Sequence, residues 1–516
     1  MPGDNQGVFL SVVVPVPPGA PAPRALLDSL EAQASGRWEL LIAGSAARVD
    51  GARVRLVDPD ESTLSGSVAA AVRESRGDFV TILGPEDTVA VDLIERMLAH
   101  VDETPLVDVV YTDESFNAGG RDFLKPDFSP ERLRSQFYLG NVTAYRRSLL
   151  ETIGGLRTGI AGAELYDLAL RATRAARAVG HIRAVLGVSA PESIQQLWNP
   201  DVESTLPAIR AVLEEHLAAT GGGRVESVGT DGLYRTHRVV AGEPLISIVI
   251  PTRGDIASVR GVDRCMVVEA VRGVMELSTY RNVEFVVVID DVARQSVRDE
   301  LVEIAGERMR FVDWTGPFSF SRKMNLGVLH ARGEYVLLLN DDVELITPDW
   351  IESLLALAQL PGAGMVGPML YFEDDTIQHA GHAYWRNDVT HIGLHSERGA
   401  AGPFGGFLVE REVAGDTGAC TLMSKALYME AGGFSHLLPG NFNDVDLCMK
   451  VLTLGYQSYW TPYAELYHFE SKSRDPRVAA YEIDTAWGRW QHLLWESPMW
   501  PTDPHELFTA FPTDPA

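Results

Sequence analysis

The 516-residue chain has three cysteines, Cys265, Cys420 and Cys448. They are too few and too scattered for a disulfide framework or for a zinc site built from them. Cys265 and Cys448 sit among apolar neighbours and read as core. No run approaches the ~20 apolar residues that a membrane-spanning helix needs. Basic residues are also scarce: 44 Lys and Arg stand against 71 Asp and Glu, a formal net charge of -27. Nucleic-acid binding needs clustered cations to neutralise phosphates, so that class is excluded. A broad electrostatic grip on anionic lipid is disfavoured for the same reason. The N-terminal Met-Pro-Gly-Asp-Asn-Gln has no basic region ahead of its short apolar run, which argues against a signal peptide. A cytoplasmic location is the expectation.

What is present is a repeat. Phe9-Leu-Ser-Val-Val-Val-Pro15 matches Leu245-Ile-Ser-Ile-Val-Ile-Pro251, and Trp38-Glu-Leu-Leu-Ile-Ala43 matches Val283-Glu-Phe-Val-Val-Val-Ile289. Arg76-Gly-Asp-Phe-Val80 matches Arg332-Gly-Glu-Tyr-Val336, and Tyr166-Asp-Leu-Ala-Leu170 resembles Val445-Asp-Leu-Cys-Met449. Four matches in one order indicate a fold written twice. Each β-branched run is short and continuous, as in a parallel strand covered on both faces. Helical patterns lie between them, at 23–33 and 350–360 for example. The alternation predicts an α/β protein with doubly wound, mostly parallel sheets. The expected layout is a first domain over 1–190, a connector with a helix and short strands over 191–243, a second domain over 244–475 and a Trp-rich helical tail over 476–516.

Chemistry concentrates in the second copy. The apolar run Tyr335-Val-Leu-Leu-Leu339 stops on Asn340-Asp-Asp342. Two further strands end at Pro251-Thr-Arg-Gly-Asp255 and at Ile289-Asp-Asp291. Ligands dock at the carboxyl ends of strands in an open α/β sheet. Paired carboxylates there can hold a divalent cation against a phosphorylated substrate. Asp444 and Asp446 stand at a loop-to-helix start, where a carboxylate serves either as a cap or as a general base. His468 is ringed by aromatics, which suits packing, yet Glu470, Ser471, Ser473 and Arg474 follow closely and suit an anionic phosphate.

Taken together, Asn340-Asp-Asp342, Asn443-Asp-Val-Asp446 and Tyr467-His-Phe-Glu-Ser471 resemble the glycosyltransferase family 2 pattern on a GT-A fold. Thr376-Ile-Gln-His-Ala-Gly381, Thr417-Gly-Ala-Cys420 and Gly432-Gly-Phe434 fit it too. The resemblance covers about 245–475 strongly and reaches into 9–190 through Tyr111-Thr-Asp-Glu114, Phe123-Leu-Lys-Pro-Asp127 and Tyr166-Asp-Leu-Ala-Leu-Arg171. Tandem proteins of bacterial surface-polysaccharide synthesis share this layout. The resemblance implies two tandem GT-A domains and an inverting, metal-dependent sugar transfer from a UDP- or dTDP-linked nucleotide sugar to a glycan or lipid-linked acceptor. It implies Mn²⁺ or Mg²⁺ at Asp342 and His468, with Asp341 beside them. It implies nucleotide-sugar contacts from Thr252, Arg253, Asp290, Asn325 and Arg474, and Asp444 as the base. Thr417, Gly418 and Asp446 would lie on the acceptor side, with Asp446 also holding its loop. The Trp-rich tail has two readings of its own: a helix docked as core through Trp487 and Trp490, or an acceptor groove lined by Trp495 and Trp500, since aromatic faces stack on sugars. Asn340 replaces the first Asp that many members carry, which weakens the expectation of direct ligation from that position. A lipid-linked acceptor would bring the protein to the inner face of the plasma membrane. Homo-oligomerisation is left open.

The first copy reads as degenerate. Gly44 stands for Asp290, Gly84-Pro85-Glu86 for Asn340-Asp-Asp342, Leu165 for the base, and about Val188 for His468. Two alternatives to a single active domain are a two-site glycan polymerase, which needs two intact acidic sets, and a non-catalytic glycan- or nucleotide-binding protein, which needs none.

Overall fold

The structure is a computed structural model describing residues 7–44, 51–57, 63–116, 122–189, 202–229, 232–385, 388–469, 478–495 and 497–501. The chain folds as two compact units, Met1–Thr236 and His237–Ala516.

The first unit is built on β1 (Leu10–Val16), β2 (Trp38–Gly44), β3 (Val54–Val57), β4 (Phe79–Ile82), β5 (Val109–Phe116), β6 (Thr143–Arg146) and β7 (Val179–Ser189). The second uses β8 (Ile246–Thr252), β9 (Val283–Asp290), β10 (Met309–Trp314), β11 (Tyr335–Leu339), β12 (Ala363–Tyr371), β13 (Cys420–Ser424) and β14 (Gln457–His468). The sheet orders correspond strand for strand: β3-β2-β1-β4-β6-β5-β7 in one and β10-β9-β8-β11-β13-β12-β14 in the other. In each, four strands run parallel, the next pairs antiparallel, and a two- or three-residue strand closes the far edge. The expected doubly wound α/β architecture is present twice.

The recurrent sequence matches now have a cause. Every residue of β8 is buried, including Ser247. Its hydroxyl donates to Glu284 Oε1 at 2.6 Å and accepts from the Gly333 amide at 2.8 Å, while the Arg332 amide donates to the same carboxylate oxygen at 2.7 Å. Ser11, Glu39, Gly77 and Arg76 repeat the clasp at 2.7, 2.8 and 2.7 Å. A Cβ on Gly77 would stand 2.6 Å from the Ser11 amide, and one on Gly333 would stand 2.5 Å from the Leu245 carbonyl, so the glycine is sterically required in both. The clasp satisfies buried polar groups that would otherwise be costly inside the sheet.

Within the expected connector, helix α3 (Val202–Ala218) packs on α2 (Glu164–Ala175) of the first unit, and Arg157 Nη1 donates to Glu215 Oε1 at 2.8 Å. The hairpin Gly223–Val228 with Leu233–Arg238 follows it. Within the tail, helix α6 (Ala480–Trp490) packs on the second unit through α5 (Asn443–Thr453). Among the described residues no helix is long and apolar enough to cross a membrane.

Burial alone would raise the Glu284 carboxyl, but the Ser247 hydroxyl and Arg332 outweigh it and hold it below its ordinary 4.5. A depressed folded value makes the clasp's charge contribution complete above 4.5 and lost as pH falls through the folded pKa. Glu284→Gln should therefore destabilise the protein at pH 7 by about 1–3 kcal/mol. Denaturant unfolding should show the deficit shrinking only on the acid side of the carboxylate range. A deficit independent of pH would show that the charge is not what matters.

Candidate active site

A cleft of about 630 Å³ opens at the carboxyl ends of β8 and β11 in the second unit. Its lining includes Thr252, Arg253, Asp341, Asp342, Asp444 and His468. The three side chains expected to carry the chemistry, Asp342, His468 and Asp444, thus face one cavity.

Sequence distance is bridged by strand pairing. Five buried apolar residues make β11, so Asn340, Asp341 and Asp342 emerge at the sheet edge. The short strand Val343–Leu345 then pairs antiparallel with β14, placing Val343 opposite His468. Asp342 Oδ1 lies 3.2 Å from His468 Nε2. On the other side of the ring, His468 Nδ1 donates to Gln378 Oε1 at 2.7 Å. That bond places the ring proton on Nδ1, so Nε2 carries the lone pair and accepts from Asn340 Nδ2 at 3.1 Å, with the Asp342 carboxylate beside it. A histidine oriented this way by its far nitrogen is arranged as a metal ligand. Asn340 Oδ1 is buried and accepts no hydrogen bond. Beside it, burial and the Asp342 carboxylate push Asp341 up to about 7, against the pull of the Thr252 hydroxyl, which donates to it at 2.6 Å.

Asp444 sits in the first turn of α5, behind Phe442, whose φ of 55° is left-handed. Phe442 thus takes a strained conformation at the entry to the helix that carries Asp444. Asp444 Oδ2 accepts from the Gly418 amide at 3.0 Å and Oδ1 from the Val445 amide at 2.9 Å. Thr417 Oγ1 stands 3.4 Å away. Burial would raise this carboxyl, but His382, the Gly418 amide and His391 more than compensate and hold it below the ordinary range. It is an ionised acceptor inside a cleft.

Other expected residues go elsewhere. Asn325 does not line the cleft. Its amide donates to the Phe434 carbonyl at 2.9 Å and its oxygen accepts from Tyr428 Oη and the Phe434 amide, pinning the Gly432-Gly-Phe434 turn. On this helix, α4 (Phe320–His330), Phe320 and Lys323 do line the cleft; Lys323 is buried, its Nζ donating to the Thr252 carbonyl at 3.2 Å and paired with Asp290. Two helical positions turn roughly 200°, so Lys323 and Asn325 cannot share a face. Asp290 serves as the counter-ion of Lys323 and lies just outside the lining. Arg253 is half exposed at the rim, 3.6 Å from Asp255. Arg474 lies outside the described residues.

Asp446 and Trp500 correct the acceptor-side expectation. Asp446 is fully buried and points away from the cleft; Lys450 Nζ stands 2.7 Å from it, Arg489 Nη1 donates at 2.8 Å and Trp490 Nε1 at 3.0 Å. Trp500 is 4% exposed, stacked on Phe407 at 5.9 Å with Arg411 over its ring at 4.8 Å. It is core, not a sugar-stacking wall. The sequence reading also passed over Gln378 and the histidines His379, His382 and His391, though the motif around 376–381 contained the first two of these four.

The first unit repeats the scaffold, with other residues at the places of Asp444 and His468. Asp167 on α2 is paired with Arg171 four residues on, as Asp446 is with Lys450, which puts Leu165 where Asp444 stands. Val188 pairs with Thr88 much as His468 pairs with Val343. One alignment shifts by a residue: the clasp sets Glu39 against Glu284, so position 45, a serine outside the described residues, corresponds to Asp290 rather than Gly44.

Residues 247–432 match the family model described as glycosyl transferase family 2. The match lies wholly within the second unit. It is 32% identical over 499 residues to a Sinorhizobium fredii protein named "Uncharacterized protein y4gI", covering 91% of this chain and 54% of that one. It is 29% identical to the O-antigen biosynthesis protein RfbC of Myxococcus xanthus, covering 90% of this chain and 38% of that protein. Over 167 residues it is 28% identical to an N-acetylglucosaminyl-diphospho-decaprenol L-rhamnosyltransferase of Mycobacterium tuberculosis, covering 30% and 53% of the two chains. The chain thus spans about half or less of the two relatives it matches along nearly its whole length.

Asp446→Asn should cost about 2–4 kcal/mol of stability by unseating α6 from α5. Asp444→Asn should leave the unfolding midpoint close to the parent's. Thermal denaturation of the two variants checks this, and the opposite ranking would exchange their roles.

Proposed function

We propose that the second unit is an inverting glycosyltransferase moving a sugar from a nucleotide-diphosphate donor to a glycan or lipid-linked glycan hydroxyl, in the assembly of a bacterial surface polysaccharide. The observation that carries this is the convergence of Asp342, His468 and Asp444 on one cleft. The family-model match over 247–432 and the similarity to an O-antigen biosynthesis protein and a rhamnosyltransferase support it.

Asp342 and His468 suit a divalent cation, Mn²⁺ or Mg²⁺: one offers a carboxylate, the other an oriented lone pair, and Asn340 Oδ1 beside them is a buried oxygen without a partner. Position 340 thereby regains the ligating capacity that its change from Asp had put in doubt. When bound, such a cation would neutralise charge on the departing diphosphate. Thr252, Arg253 and Asp341 line the donor side, and Lys323 adds a buried positive charge there. Asp444 accepts the proton of the acceptor hydroxyl as that oxygen bonds to the anomeric carbon. The bond between that carbon and the diphosphate oxygen breaks, its electron pair leaves with the nucleotide, and configuration inverts. The Gly418 and Val445 amides hold the Asp444 carboxylate in place through the step. The first unit, with Leu165 and Val188 at the corresponding places, serves as a non-catalytic partner that supports the fold or holds acceptor.

Turnover of a nucleotide-sugar panel with Mn²⁺ tests the reading. Asp444→Asn should lower kcat about 10²–10⁴-fold with the donor KM little changed. Asp342→Ala should abolish turnover, and Glu86→Ala should leave it intact. Activity that survives Asp342→Ala and disappears with Glu86→Ala would move the chemistry to the first unit.

A further inference from the structure

Next to Asp444, three imidazoles converge that the transfer reaction does not employ. His379 ends the strand Ile377–His379, while His382 and His391 face each other across the hairpin His382–Trp385 with Asp388–His391. Their ring centroids lie 4.9–5.3 Å apart pairwise. One ligating nitrogen from each falls within 4.8 Å of the others. Burial, with the neighbouring imidazoles of the trio adding to it for His379 and His391, holds all three below their ordinary proton affinity. The neutral imidazole is the form that ligates metal.

The hydrogen bonding around them is incomplete. His379 Nδ1 faces His391 Nδ1 at 2.7 Å, which uses one donor and one acceptor. His382 is 2% exposed and its Nδ1 has no partner. Behind the trio, Asp416 is fully buried, neither of its oxygens accepts a hydrogen bond, and Oδ1 stands 3.5 Å from His379 Nε2, which here accepts from the Thr417 amide at 3.4 Å and would carry the ring proton toward Asp416 once Nδ1 ligated a metal. Buried polar groups are rarely left this way without a missing partner. A carboxylate behind the far nitrogen of a histidine is the common backing of a metal-bound imidazole.

We propose that His379, His382 and His391 form a second metal site, for a zinc-class transition-metal ion, with Asp416 orienting His379. Three nitrogen donors favour Zn²⁺ or Co²⁺ over the hard, oxygen-seeking Mn²⁺ and Mg²⁺ suited to Asp342. Tetrahedral ligation needs nitrogens roughly 3.3 Å apart, which side-chain rotation from the present spacing provides. His382 and His391 line the cleft, so the fourth position faces the ligand space beside Asp444. The assignment stands on the cluster alone and does not require the transfer reading.

Cobalt substitution tests it in the full chain. With Asp342→Asn removing the other candidate site, chelator-treated protein titrated with Co²⁺ should develop a tetrahedral ligand-field band saturating at one equivalent and displaced by Zn²⁺. Adding His382→Gln should abolish the band, and adding Asp416→Asn should weaken Co²⁺ affinity about 10–100-fold. Should His382→Gln fail to fold, His391→Gln at the half-buried edge serves in its place, with far-ultraviolet circular dichroism confirming the fold. No band in the Asp342→Asn protein, or an undiminished band in a folded histidine variant, overturns the site.

Discussion

Five consecutive buried apolar residues, Tyr335–Leu339, are comfortable only in a strand covered on both faces, and the chemistry of this chain follows from where that strand stops. The sheet has to end there because Asn340, Asp341 and Asp342 carry groups that such an interior does not tolerate. The edge is held in register by the Ser247–Glu284 clasp at the other end of β8 and by the pairing of Val343 with His468. Position, not propensity, brings the carboxylate to the imidazole.

Duplication separates scaffold from chemistry within one chain. Both units keep the serine–glutamate–glycine clasp, the same strand order and a helix whose aspartate is paired with a cation one turn on. Those features belong to folding. Among the described residues, the carboxylates at the sheet edge, the imidazole on the last strand and the Asp444 carboxylate in the helix's first turn occur together only in the second unit. Asp446 is the instructive case. It sits two residues from Asp444, yet its counterpart Asp167 is present where Leu165 stands in place of Asp444, and both aspartates are paired with cations, as anchors are.

Much of this was legible in the sequence. Short continuous β-branched runs gave the strands, because full burial leaves no alternation to confuse with other patterns. Asp342 and Asp444 were visible because a charge directly after an apolar run, or at a helix entry, has few places to go. What escaped was directional. Asn325 and Lys323 share a helix, and only three dimensions show which of them meets the cleft. Trp500 reads as a candidate sugar platform until Phe407 and Arg411 are seen to enclose it. Gln378 and the three histidines come from short strands and a hairpin with no strong period, so their convergence left little trace in spacing. The stretch after residue 190 looked like a linker because its helix buries its apolar face against an element some forty residues earlier in the chain.

The knot at Asp446 also says how much chain the active centre requires. Arg489 and Trp490 reach back from α6 to the helix that presents Asp444, although neither touches the cleft. The segment matching the family stops at residue 432, short of Asp444, of His468 and of this anchor. A polypeptide trimmed to the segment that matches would keep Asp341 and Asp342 while discarding Asp444, together with the brace that steadies its helix.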